Sequence, residues 1–128
     1  MLRIALLLPL LLMACKDETV SGWSDPSTTW LLQEIDGTPF TARATLTFPE
    51  EGAVRGEGPC NLYTAQQTQP YPWLGMDRFV ATRRACPDLP AESAFFSALL
   101  SMTLVEASDS VLILGNDAGG EMVFRAAP

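Results

Sequence analysis

The residues of this chain best suited to chemistry are three cysteines, Cys15, Cys60 and Cys86, set in a sequence that contains no histidine. Without an imidazole, the serine and cysteine mechanisms that need a histidine base are excluded, and the commonest transition-metal ligand is missing. Cys60 and Cys86 alone cannot complete a four-thiolate zinc site. The carboxylates that lie close in sequence are Glu50 with Glu51, and Glu106 with Asp109. Glycoside hydrolysis needs two carboxyls at a defined separation across a sugar cleft, which neighbours in a hairpin turn do not provide. No catalytic residue, no metal site and no cofactor are therefore expected, and the chain does not read as an enzyme.

The elements around the two later cysteines set what they can do. Pro59-Cys60-Asn61-Leu62-Tyr63 reads as a strand at a tight turn, while Thr82-Arg83-Arg84-Ala85-Cys86 ends a hydrophobic strand just before a helix that begins near Pro90. A bridge between them would tie sheet to helix. The chain has 128 residues, which suits one domain with a core of its own once the ends are trimmed. Its net charge of −7 and pI near 4.3 argue against nucleic acid, because holding phosphate needs a concentrated basic face. The acidic balance reads first as a solubility device, and second as a means of steering toward a basic partner.

At the start of the chain, Arg3 precedes an apolar run from residue 4 to residue 13 that is too short to span a bilayer stably. The run ends in Leu12-Met13-Ala14-Cys15. This tetrapeptide resembles the lipobox of bacterial lipoproteins, with an apolar residue, a tolerant position, a small residue and then cysteine. The resemblance implies that residues 1–14 are a lipoprotein signal peptide and that Cys15 carries diacylglycerol and an acylated amino terminus. An ordinary signal peptide with a chance cysteine is the alternative. Lys16 in place of an aspartate implies the outer membrane. Residues 15–28 then read as a lipidated N-terminus and flexible tether, in which Trp23 is expected to pack on the adjoining domain.

Residues 29–128 read as the folded domain. Strand formers at residues 29–35 stop at Asp36-Gly37, and residues 44–48 alternate so that Leu46 and Phe48 face the core and the threonines the other side. Residues 54–58 return antiparallel, with Gly56 and Gly58 marking a bend, a bulge or a close backbone approach. Residues 65–72, with three glutamines and two prolines, read as a surface loop, and residues 73–82 as a strand. Residues 90–100 make one convincing helix, with proline in its first turn, Asp88 as a possible cap and Glu92 near the positive end of its dipole. Phe95 with Leu99, and Phe96 with Leu100, should form its buried stripe. Strands near residues 103–106, 111–114 and 122–125 complete a mainly β fold: a small curved antiparallel sheet or β barrel with one packed α-helix.

Taken in order, Trp30-Leu31-Leu32, Ile35-Asp36-Gly37, Leu46-Thr47-Phe48, Val54-Arg55-Gly56, Cys60-Asn61-Leu62-Tyr63, Thr82 with Ala85-Cys86, Glu92 with Phe95-Phe96 and Leu99, and Leu112-Ile113-Leu114 resemble the META-domain, or HslJ-like, family of bacterial envelope proteins. One departure is Pro59, where that family usually has glycine. The resemblance implies a small antiparallel barrel with one helix and a disulfide between Cys60 and Cys86. Cysteine arithmetic agrees, since lipidation of Cys15 leaves one pair in an oxidising compartment, although two buried free thiols remain an alternative. The expected function is that of a non-catalytic envelope lipoprotein that binds a protein or cell-wall partner in envelope maintenance or stress tolerance. Inhibition of a basic periplasmic hydrolase such as lysozyme, or carriage of a small apolar ligand, are the alternatives. The expected setting is a membrane-anchored monomer facing the periplasm.

Overall fold

The computed structural model describes residues 16–128; Cys15 and the apolar run before it lie outside the described residues. Strand β1 (Trp30–Ile35) turns Trp30 and Leu32 into the core by simple alternation. Asp36 and Gly37 follow with φ of 50° and 77°, two successive left-handed residues that a tight hairpin requires, and deliver the short β2 (Thr38–Pro39). After β3 (Thr45–Leu46), Gly52 at φ 74° closes the turn into β4 (Ala53–Glu57), which pairs with β5 (Leu62–Gln66). Strand β6 (Asp77–Ala81), helix α1 (Leu89–Ser101) and strands β7 (Leu104–Ala107), β8 (Val111–Gly115) and β9 (Glu121–Ala126) complete the chain.

The nine strands form two antiparallel sheets. Six make the order β2-β1-β9-β8-β7 with β3 also paired to β1, and three make the order β4-β5-β6. Single residue pairs, Thr47 with Arg55 and Trp73 with Leu104, join the sheets at either side, so the sheets curve toward each other without closing a barrel. Trp30, Leu46, Val54, Leu112, Leu114, Met122 and Phe124 fill the space between, under Phe95 and Leu99 of α1. Phe96 is half-buried and meets Phe79 and Tyr63 edge-on at 5.0 and 5.5 Å. Leu100 departs from the expected stripe: it is 47% exposed, because one residue past Leu99 swings the side chain about 100° round the helix, off the buried face.

Four other expectations are revised by how the chain is buried and paired. Residues 17–24 are no tether. Val20 is fully buried in a 3-10 turn (Val20–Gly22), the Asp17 carboxylate accepts from the Thr19 N–H at 2.8 Å, and the Tyr71 N–H donates to the Glu18 carbonyl at 2.7 Å. Residues 65–72 are not wholly surface loop, since Ala65 and Gln66 belong to β5 and Gln67 is buried. The Gln67 amide donates to the Gln69 and Trp73 carbonyls and accepts from the Gln69 and Gly75 N–H groups, so every hydrogen-bonding position it has is used. Residues 73–76 leave the expected strand because Trp73 pairs with β7 of the other sheet and the Leu74 N–H donates to the Thr103 carbonyl. Thr45, expected outward, is buried and accepts the Glu57 N–H on its hydroxyl at 3.0 Å.

Candidate functional site

Cys60 and Cys86 are joined by a disulfide with their Cα atoms 5.7 Å apart. The bond sits on a polar cluster that binds β5, the segment after β6 and the start of α1 into one unit. Asn61 and Glu92, both buried, are its centre. Glu92 Oε2 accepts the Cys60 N–H at 2.8 Å and the Asn61 N–H at 2.7 Å, and Oε1 accepts the Asn61 side-chain amide at 2.6 Å. On its other side Asn61 donates to the Arg84 carbonyl and accepts the Arg84 N–H and the Thr82 hydroxyl. A carboxylate so placed is balanced by hydrogen bonds from three N–H groups rather than by a cation, an arrangement that holds geometry. Gly58 is needed beside it, since a Cβ there would lie 2.7 Å from Glu92 Oε2 and 3.2 Å from the Phe96 ring.

What this cluster positions is the three-stranded sheet. On its inner face Tyr63 packs against Phe79, Phe95 and Phe96 and donates its hydroxyl to the Thr45 carbonyl at 2.5 Å; burial pushes that hydroxyl's pKa well above the usual tyrosine range. Gly56 lets the Tyr63 ring and the Thr45 carbonyl approach, because any Cβ would overlap both. Among the described residues nothing covers the outer face. Register places Arg55 opposite Thr64 and Thr64 opposite Val80, with Glu57 opposite Leu62 in the next row. Leu62 and Val80 are 56% and 65% exposed and lie diagonally across this face. Two open concavities, of about 600 and 410 Å³, run over the sheet and meet at Arg55 and Thr64; Gln66 and Arg78 line the first, and Arg43 and Thr47 the second. Arg55 reaches Glu50 at 3.5 Å, and Arg43 reaches Glu57 at 4.0 Å.

Glu50 and Glu51 stand exposed in the β3–β4 turn as sequence neighbours at the rim of the first concavity, and Glu106 and Asp109 are exposed at the β7–β8 hairpin, so neither pair is set on opposite walls of a cleft. Among the described residues no three Cys, Asp or Glu side chains converge as metal ligands. Cys15 lies outside the described residues. Asn61 and Glu92 stand in the sequence pattern as separate pieces, Glu92 near the positive end of the helix dipole and both within the family resemblance, but nothing in that pattern links them.

Two facing antiparallel sheets with one helix, one disulfide and this polar knot define a small, mainly β domain, and the META domain pattern matches residues 24–128. The chain belongs to the META domain family. Three solved structures share its fold. A protein from Burkholderia xenovorans, determined by NMR, is 25% identical with a TM-score of 0.62, covering 78% of this chain and 81% of that one. A crystal structure of a DUF4847 family protein from Bacteroides vulgatus is 13% identical with a TM-score of 0.64, covering 79% and 92%. Another NMR structure is 19% identical with a TM-score of 0.61, covering 78% and 89%. No functionally curated protein matches the chain. None of these descriptions names a reaction.

Proposed function

We propose that this META-domain protein is a non-catalytic lipoprotein of the bacterial envelope that holds a protein partner on the outer face of β4-β5-β6. Cys15 is the lipidation site, the domain faces the periplasm, and the outer membrane is its favoured location. The observation that carries the binding reading is the exposed Leu62 and Val80 pair on an uncovered sheet, framed by Arg55, Glu57 and Arg78. An apolar centre with a charged rim is the layout of a protein-binding patch. The alternative of an apolar-ligand carrier finds no support, since Trp30, Tyr63, Phe95 and Phe124 occupy the space between the sheets.

The test is site-specific photo-crosslinking in living cells. A photoreactive residue at position 64 should give a discrete protein adduct, one at Asp117 on the distant β8–β9 turn should not, and Leu62→Ser with Val80→Ser should abolish the adduct without lowering the melting temperature. Absence of any adduct from positions 64 and 80 would overturn the partner reading. Fractionation of Cys15→Ala with the soluble periplasmic contents, and loss of labelled palmitate from it, are the outcomes expected of the lipoprotein reading.

A further inference from the structure

Residues 16–24 make a platform rather than a leash. The Asp17 carboxylate folds the chain back on itself by accepting the Thr19 N–H and the Thr19 and Ser21 hydroxyls, and Thr19 and Glu18 are pinned in turn to Gly52 and Tyr71 of the domain. Lys16 is thus the one residue that separates position 15 in sequence from the segment pinned to the folded body. Across a trans peptide, consecutive Cα atoms are about 3.8 Å apart, so a lipid carried at position 15 would be tethered no more than two peptide lengths from Asp17. At that surface Trp23 lies 53% exposed, stacked on Tyr71 with ring centroids 4.9 Å apart and planes inclined by 15°, and the Lys16 ammonium stands 5.2 Å from the Trp23 ring centroid. Trp73, in the same turn as Tyr71, is 55% exposed.

A tryptophan stacked this way spends its ring on one neighbour and leaves the other half in water, which costs apolar surface unless something covers it. Tryptophan and tyrosine with a lysine alongside are the residues that settle at the headgroup level of a bilayer, where an amphipathic ring meets both media. We infer that the Trp23–Tyr71 stack, with Lys16, is a phospholipid-contacting surface that seats the domain on the membrane in one fixed orientation. The inference rests on the proposed lipid at Cys15, which brings this face to the bilayer. Asp17 and Glu18 outweigh Lys16 in charge, so attraction to anionic headgroups does not hold the face down; insertion of the indole does, and added salt should not release it.

The measurement is tryptophan emission from the full-length protein, purified from membranes and reconstituted into phosphatidylethanolamine–phosphatidylglycerol vesicles with and without brominated acyl chains. Bromine should quench a fraction of the emission that disappears in Trp23→Ser, while the signal from fully buried Trp30 stays unquenched and the melting temperature is unchanged. High salt should leave the quenching intact. Equal emission in brominated and unbrominated vesicles, or quenching that Trp23→Ser does not remove, overturns the proposal even when mass spectrometry finds the acyl chains on Cys15. If mass spectrometry finds Cys15 unmodified, the lipoprotein reading fails separately. Coupling that thiol to a maleimide phospholipid in the same vesicles then tests the platform by the same quenching.

Discussion

Asn61 and Glu92 are 31 residues apart in sequence and bonded twice, side-chain amide to Oε1 at 2.6 Å and main-chain N–H to Oε2 at 2.7 Å. Because α1 reaches the β5 sheet through this contact as well as through apolar packing, its loss should be felt by the whole domain. Glu92→Ala strands buried donors at residues 60 and 61 and should cost about 2 to 4 kcal/mol. Glu92→Gln should also destabilise, since its amide sets donors against donors. Urea unfolding of Asn61→Ala, Glu92→Ala and the double variant should give a combined loss smaller than the sum of the two, as expected for partners in one network.

Tyr63 supplies a pH dependence whose sign is fixed by burial. Its folded-state pKa is raised above the ordinary 10.0, so below pH 10 both states keep the proton and the contribution is complete. Above that the unfolded chain releases a proton that the folded one retains, and stability falls by about 1.4 kcal/mol per pH unit for this group. Tyr63→Phe should lose about 1 kcal/mol at neutral pH with the hydrogen bond to Thr45, yet show a shallower decline above pH 10. Parallel declines for the two proteins would refute the assignment.

The disulfide closes a loop with a sequence separation of 26 residues. Chain entropy alone gives such a closure a worth of about 3.5 kcal/mol, a large part of what a small domain has. Reduction, or Cys60→Ser with Cys86→Ser, should lower the melting temperature clearly, whereas Cys15→Ala should not move it. A reduced protein that melts with the oxidised one would contradict this.

Neighbouring positions on α1 should behave oppositely. Phe95→Ala removes a fully buried ring and should cost about 3 to 5 kcal/mol, while Leu100→Ser, on the exposed side, should stay within about 0.5 kcal/mol of the parent. Calorimetry on the two variants decides between the observed helix face and the wider stripe that the spacing of phenylalanines and leucines suggests.

Most of the longer strands and the single helix were legible from alternation and turn residues, because Leu112, Leu114, Met122 and Phe124 carry a period of two that a half-buried strand satisfies, whereas the order of the strands in two sheets was not. Asp36-Gly37 likewise announced its hairpin. Burial of polar side chains was not legible. Thr45 and Asn61 are inside because backbone groups from distant segments meet their hydrogen bonds, and Gln67 is inside because the loop through Gln69, Trp73 and Gly75 folds back onto its amide, a closure that no apolar pattern announces. The same holds for residues 17–24, where one buried valine and a few hydroxyls replace the apolar run by which a packed segment is usually recognised. The candidate face was half legible: Arg55 and Leu62 sit on strands that the sequence pattern predicts, but Thr64 lies past the predicted end of its strand and Val80 joins through the β5–β6 register, which that pattern leaves open.

Strands β1 and β9 lie side by side in the larger sheet, with Trp30 opposite Ala126, and the Ala127 N–H donates to the Thr29 carbonyl at 2.8 Å. The domain is therefore nearly a ring. A short linker from residue 127 to residue 29, with new ends cut in the exposed β8–β9 turn, would keep every strand in its place, so circular permutation should yield the same fold from a rearranged chain order. For this domain, architecture depends on which strands neighbour one another, and little on where the polypeptide happens to be opened.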